Sequence, residues 1–139
     1  VCPLRGVDVR PAAAGLYDCP APAQGAIAVV CRDNDHEVYN ACRRINHEVS
    51  EAGVLIERNF LYHLEGGCSV PISALANFEN DDIHFTGAIH SLDGKQEMKV
   101  ELKARKEEWK SMGERAARQV KDDEKGRMII ADFRKLNRG

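Results

Sequence analysis

The spacing of apolar residues changes twice along the chain and predicts its elements. From Ser50 to Leu64, Ala52, Ile56, Phe60, Leu61 and Leu64 recur at three- and four-residue steps, the mark of a helix with one buried face. Ser50 suits its N-cap, Glu51 meets the positive end of the helix dipole, and Glu65-Gly66-Gly67 supplies the stop. From Val70 the pattern turns to short β-rich runs: Val70 to Phe78, Ile83 to His90 and Gln96 to Leu102. Glu79-Asn80-Asp81-Asp82 and Asp93-Gly94 punctuate them, which predicts three consecutive antiparallel strands. Helical spacing returns over Glu107 to Lys121, with Trp109, Met112, Ala116 and Val120 inward. A final helix is expected over Met128 to Leu136 through Ile129, Ile130, Phe133 and Leu136, although Met128-Ile129-Ile130 also suits the start of a strand.

The first 45 residues follow other rules. Pro3, Pro11, Pro20 and Pro22 keep residues 1–25 extended or irregular. Ala26-Ile27-Ala28-Val29-Val30-Cys31 is apolar without alternation, as in a strand buried on both faces, and such a strand needs neighbours. Asp33 or Asp35 can then cap a helix over about 35–45, with Val38, Ala41, Cys42 and Ile45 along one face.

Composition narrows the class. The 139 residues (15.5 kDa) are 43% hydrophobic and 30% charged with mean hydropathy -0.44, which fits one soluble domain or one domain with a fragment. The apolar run from Gly25 to Cys31 is far shorter than the roughly 20 residues of a membrane helix, so no membrane partner is expected. The chain opens Val1-Cys2-Pro3 and is read as a piece of a longer protein. Five scattered cysteines, an odd number, fit reduced thiols in the cytoplasm better than a disulfide framework. Net charge is -2 and the sequence pI about 6.2, which argues against a nucleic-acid partner. Residues 1–94 hold 6 Lys/Arg against 13 Asp/Glu and residues 95–139 hold 14 against 9, but the basic part interleaves both signs, as a solvated helix face does.

Chemistry concentrates in Leu64-Glu65-Gly66-Gly67-Cys68-Ser69-Val70-Pro71-Ile72, where two glycines present a thiol between a helix and a strand. Just past a helix C-terminus the dipole disfavours a thiolate, so a stable covalent attachment suits Cys68 better than a cycling nucleophile. The plain alternative is a helix-stop turn followed by a buried cysteine. A cysteine hydrolase would need His63, His84 or His90 as base, and no spacing fixes one of them. Cys31 with His36, and Cys42 with His47, share a Cys-x4-His spacing but lack the close cysteine pair of a zinc site, so no metal is expected. Asp33 and Asp35 read as caps rather than calcium ligands. Arg32, directly after the apolar run, can fork onto a substrate carboxylate or pair with Asp33 or Asp35. Arg58, beside Glu57, sits at the edge of the apolar stripe, a place suited to orienting a domain contact.

Pro22-Ala23-Gln24-Gly25-Ala26, Cys31-Arg32, Glu57-Arg58-Asn59-Phe60-Leu61, the Gly66-Gly67-Cys68 segment and Ser91-Leu92-Asp93-Gly94, in this order, resemble the C-terminal part of the porphobilinogen deaminase (hydroxymethylbilane synthase) family. The resemblance is close over about residues 20–94 and looser beyond. It implies a three-domain transferase that joins porphobilinogen units into a linear tetrapyrrole with loss of ammonia. It also implies a dipyrromethane cofactor held by a thioether to Cys68, with Gly66 and Gly67 beside it, and substrate contacts from Arg32, Gln24 and Gly25. Arg58 matches a recurrent arginine read as largely structural. The family's proton-handling aspartate and most of its arginines would lie in N-terminal domains that these residues do not cover. No catalytic residue is therefore expected here, and the piece alone is expected to be inactive. Ala23 stands where the family usually has Gly, and Ser73 where Gly commonly follows the Pro-Ile pair. On this resemblance residues 1–45 are the end of a second domain and a crossover segment, with strand 26–31 and helix 35–45. Residues 46–139 are a cofactor-anchoring α+β domain, a three-stranded antiparallel sheet covered on one face by helices, preceded by a remnant of an α/β domain. The competing expectation is a non-catalytic folding or interaction module in which Cys68 is a plain thiol.

Overall fold

Residues 19–64 and 71–136 are described in the computed structural model, with side chains of the last helix as far as Asp132. Three strands, β1 (Ile72–Glu79), β2 (Asp82–His90) and β3 (Glu97–Arg105), form one antiparallel sheet in sequence order. Its register explains the period-two pattern. Ile72 lies opposite Ile89 and Ile89 opposite Met98, followed by the rows Ala74, Gly87, Val100 and Ala76, Phe85, Leu102, then Phe78, Ile83, Ala104. All twelve residues share one face. The other face carries Asn77, His84 and Lys103 in one row and Glu79, Asp82 and Arg105 in the next. Lys103 pairs with Asp82 there at 2.9 Å, an exposed contact of small energetic weight.

Four helices complete the chain: α1 (His36–Arg43), α2 (Glu48–His63), α3 (Trp109–Asp122), entered through a 3-10 turn at Lys106–Glu108, and α4 (Glu124–Leu136). α2 and α3 cover the apolar face. Ile56 and Phe60 from α2, Leu64 at its C-cap, and Met112, Ala116, Ala117 and Val120 from α3 are buried with the sheet residues, and Ile129 and Ile130 of α4 join the same core. Phe60 meets Phe85 edge to face, with ring centroids 5.2 Å apart. Gly87 makes room for that pair, since a Cβ there would stand 2.7 Å from Phe60 Cζ and 2.9 Å from Phe85 Cε1. The expected α+β architecture, a three-stranded antiparallel sheet with helices on one face, is therefore the one observed.

Several boundaries differ from expectation. α2 begins at Glu48, and its cap is His47, whose Nδ1 accepts from the Ser50 N–H at 3.3 Å. Ser50 falls inside the first turn, its hydroxyl 2.8 Å from the same ring nitrogen. Of the two aspartates offered for α1, Asp35 is the cap, accepting from Val38 N–H at 3.0 Å. α4 starts at Glu124, four residues before Met128, because Asp123 Oδ1 accepts from Gly126 N–H at 3.1 Å, and Met128-Ile129-Ile130 are helical. Residues 26–31, expected as a strand, join no ladder among the described residues. Ile27 and Val30 are each 88% exposed. An apolar run with no sheet edge beside it has nothing to share its N–H and C=O groups with, so its composition alone does not make it a strand. α1 likewise buries none of its residues. No helix among the described residues is long and apolar enough to cross a membrane.

Candidate anchor site

Cys68, Gly66 and Gly67 lie outside the described residues, and the residues on either side of that stretch are packed. Leu64, just past α2, is buried in the core. On the other side the Pro71 carbonyl accepts from His90 N–H at 3.0 Å, and Ile72 re-enters the core. The described residues on either side of 65–70, Leu64 and Ile72, thus belong to one core.

The group that ties those elements together is Glu57. It sits on α2 within the buried stripe Gly53, Ile56, Glu57 and Phe60, and only 7% of it is exposed. Its Oε1 accepts from Ala76 N–H of β1 at 3.0 Å, and its Oε2 from Ala23 N–H at 2.7 Å. β1 is an edge strand, and its outward N–H groups need partners. Ala74 N–H finds the Pro20 carbonyl at 2.9 Å, and Ala76 N–H finds Glu57. Burial pushes the Glu57 carboxyl above the usual carboxylate range, against the two N–H donors, which pull it down.

Gln24 and Gly25 lie on the segment held this way. Gln24 N–H donates to the Ala21 carbonyl at 2.9 Å, and Gln24 Oε1 accepts from Ala21 N–H at 3.1 Å, closing a turn. Gly25 has φ +84°, and Ala23 has φ +63°, a left-handed backbone that costs a non-glycine residue free energy. Just before this turn Cys19 is half-buried, with Sγ 3.6 Å from the Thr86 carbonyl oxygen, and burial raises its pKa.

Arg32 stands apart, beyond the exposed 26–31 run, beside a shallow hollow that it lines with Asn34, Asp35, His36 and Glu37. Its side chain is exposed, and Asp35 uses its carboxylate on the α1 cap. Gln24 and Gly25 are thus exposed on a turn whose neighbours Pro20 and Ala23 are bonded to β1 and α2, while Arg32 is displayed separately. Arg58 is exposed and its neighbour Glu57 buried, since adjacent helical residues face different ways. The three histidines are scattered: His63 stacks edge-on against Tyr62, His84 lies on the polar sheet face 3.8 Å from Glu79, and His90 ends β2. Among the described residues no cluster of three or more His, Cys, Asp or Glu is arranged to hold a metal.

Glu57 was the residue that pattern reading passed over, being paired there with Arg58. Its signal is present in the sequence: a carboxylate four residues from Gly53 and three from Phe60, on the apolar face of a helix.

Residues 52–122 match the family model described as the C-terminal domain of porphobilinogen deaminase. The chain is 37% identical over 113 residues to a porphobilinogen deaminase of Synechococcus sp. (strain RCC307), covering 81% of this chain and 36% of that protein. It is 38% identical over 113 residues to the protein of that name from Geotalea uraniireducens, covering 81% and 35%, and 46% identical over 77 residues to that of Pelotomaculum thermopropionicum, covering 55% and 25%. The chain spans about a third of the length of the first of these curated relatives.

Proposed function

Because the chain belongs to the porphobilinogen deaminase family, matching its C-terminal domain, we propose that it is the cofactor-anchoring part of a transferase acting in the cytoplasm. That transferase condenses porphobilinogen units into hydroxymethylbilane and releases ammonia. Cys68 is the attachment point of a dipyrromethane group through a thioether, with Gly66 and Gly67 giving its rings space against the backbone. When bound, the group supplies a pyrrole carbon nucleophile on which the product chain grows.

The observation that supports this reading is the packing of the two elements on either side of the Gly-Gly-Cys segment. α2 and β1 are joined through Glu57, and Leu64 and Ile72, which flank the segment, are buried in the core, a base suited to holding a group on Cys68. A thiol at a helix C-terminus is poorly placed to cycle as a thiolate, which suits a permanent thioether. Gln24 and Gly25, exposed on the turn that Gln24 closes onto Ala21, are assigned to substrate contacts, and Arg32 to a substrate carboxylate through its forked donors. Proton handling falls to residues beyond these 139, so the chain by itself is inactive.

The test uses the protein at its natural length. With porphobilinogen it should release ammonia and form linear tetrapyrrole, Cys68→Ser should abolish both, and Arg32→Leu should raise KM more than it lowers kcat. Undiminished turnover by Cys68→Ser would overturn the anchor assignment, and a protein that never consumes porphobilinogen would favour a non-catalytic module.

A further inference from the structure

In the connection between β2 and β3 a side chain takes the place of a backbone carbonyl. The Ser91 N–H donates to the Gln96 carbonyl at 2.8 Å, but the Ser91 carbonyl is turned to the Gly94 N–H, at 2.9 Å. The Gln96 N–H therefore donates to the Ser91 hydroxyl, at 2.9 Å. That hydroxyl donates in turn to Asp93 Oδ1 at 2.6 Å, the short distance of a bond to an ionised acceptor, and the same oxygen accepts from the Lys95 N–H at 3.1 Å. The Ser91 hydroxyl and then the Lys95 N–H hold the Asp93 carboxyl below the usual carboxylate range. Ser91 itself is buried.

The residue before it faces the other way, since successive amides of a central antiparallel strand point to opposite neighbours. The His90 N–H donates to the Pro71 carbonyl at 3.0 Å, just beyond the Ile72–Ile89 pair. Pro71 has no N–H, so this carbonyl is its one backbone means of joining the ladder. The end of β2 is thus tied to β3 through Ser91 and, one residue earlier, to the start of β1 through His90.

We infer that Ser91 is a positioning residue: its hydroxyl, locked between Asp93 and Gln96, pins the end of β2 and, through His90, holds Pro71, which follows Cys68 by three residues. In one respect this rests on the proposed function, that Cys68 bears the group on which the product grows. Freedom at the His90–Pro71 bond then reaches the reacting end, where misplacement by about 1 Å can cost about a hundredfold in rate. Arg32, Gln24 and Gly25 take no part in the Ser91 network, so binding of the incoming substrate is left as it is.

The test follows Ser91→Ala in the protein at its natural length, by hydrogen exchange and by turnover. Exchange at the His90 and Gln96 amides should rise about tenfold or more, while the Ile83 to Gly87 amides stay protected and report that the sheet is folded. The kcat for porphobilinogen should fall about tenfold, with KM within about twofold of the wild type. Gly87→Ala, which strains the same core from the middle of β2, should leave kcat near the wild-type value, so a loss through weaker packing alone is told apart. Asp93→Ala, which frees the hydroxyl, should give the same pattern more weakly, and it decides the comparison if Ser91→Ala does not fold. Asp93→Asn keeps an acceptor oxygen and should restore wild-type behaviour. A His90 amide as protected in folded Ser91→Ala as in the wild type overturns the clamp, and faster exchange with undiminished kcat overturns its positioning role. A wild type that consumes no porphobilinogen overturns the enzyme reading and that role with it, while exchange at His90 still decides the clamp.

Discussion

Gly87→Ala tests the packing that carries the whole helical layer. The added methyl would stand 2.7 Å and 2.9 Å from two carbons of the Phe60 ring and 2.9 Å from Phe85 Cε1. Carbon atoms prefer about 3.5–4.0 Å, so three contacts fall short by more than half an ångström each. Both rings are wholly buried in the core, so neither can swing into water. Overpacking of this kind costs about 1–3 kcal/mol, while exchanging Gly for Ala inside a strand returns about 0.5–1 kcal/mol. The expected net loss is about 1–2 kcal/mol, or roughly 4–8 °C in Tm per kcal/mol for a domain of this size. Urea unfolding of Gly87→Ala, Phe60→Leu and the double variant closes a cycle. The smaller side chain at 60 should absorb the methyl and make the pair less destabilised than the sum by about 1 kcal/mol. A Gly87→Ala protein as stable as the wild type, or strict additivity in the cycle, would refute this description of the core.

Two further outcomes follow from the same geometry. Ala23 holds φ +63°, so Ala23→Gly relieves about 1 kcal/mol of backbone strain and returns about 0.4–1 kcal/mol to the unfolded chain; urea midpoints should show a gain of a few tenths of a kcal/mol, and a clear loss would contradict the strained turn. Burial raises the Glu57 carboxyl, so its contribution to stability is fully present below its unfolded value of about 4.3 and is lost as pH rises through the higher native value. The stability of the wild type relative to Glu57→Gln should therefore fall from pH 4 to pH 7, and a rise would show that the two N–H bonds outweigh desolvation.

What the sequence made legible follows from how local each cause is. The strands and their one-sided burial come from period-two alternation, and Asn80, at φ +56°, closes the first hairpin where the Glu79-Asn80-Asp81-Asp82 turn signal lies. The α2 stripe was readable for Ile56, Phe60 and Leu64, but Gly53 and Glu57 belong to it for reasons outside the helix. Gly53 lets β1 approach, with Ala76 O 3.6 Å from where its Cβ would be, and Glu57 serves N–H groups 19 and 34 residues away. Hydropathy cannot rank a carboxylate as buried when its partners are distant backbone amides. Residues 26–31 show the same dependence on distant partners: their composition suits a strand, a strand is made by its neighbour's hydrogen bonds, and no such neighbour lies among the described residues. The segment bearing Cys68 was singled out from residue chemistry alone, and the structure adds the buried residues Leu64 and Ile72 on either side of it.

The anchor assignment is tested most directly by intact-mass measurement of the protein purified at its natural length. A covalent dipyrromethane on Cys68 predicts a mass above that of the bare polypeptide by two linked pyrrole units, localised by peptide mapping to the segment holding Cys68 and lost in Cys68→Ser. An unmodified Cys68 in freshly prepared, folded protein would contradict it.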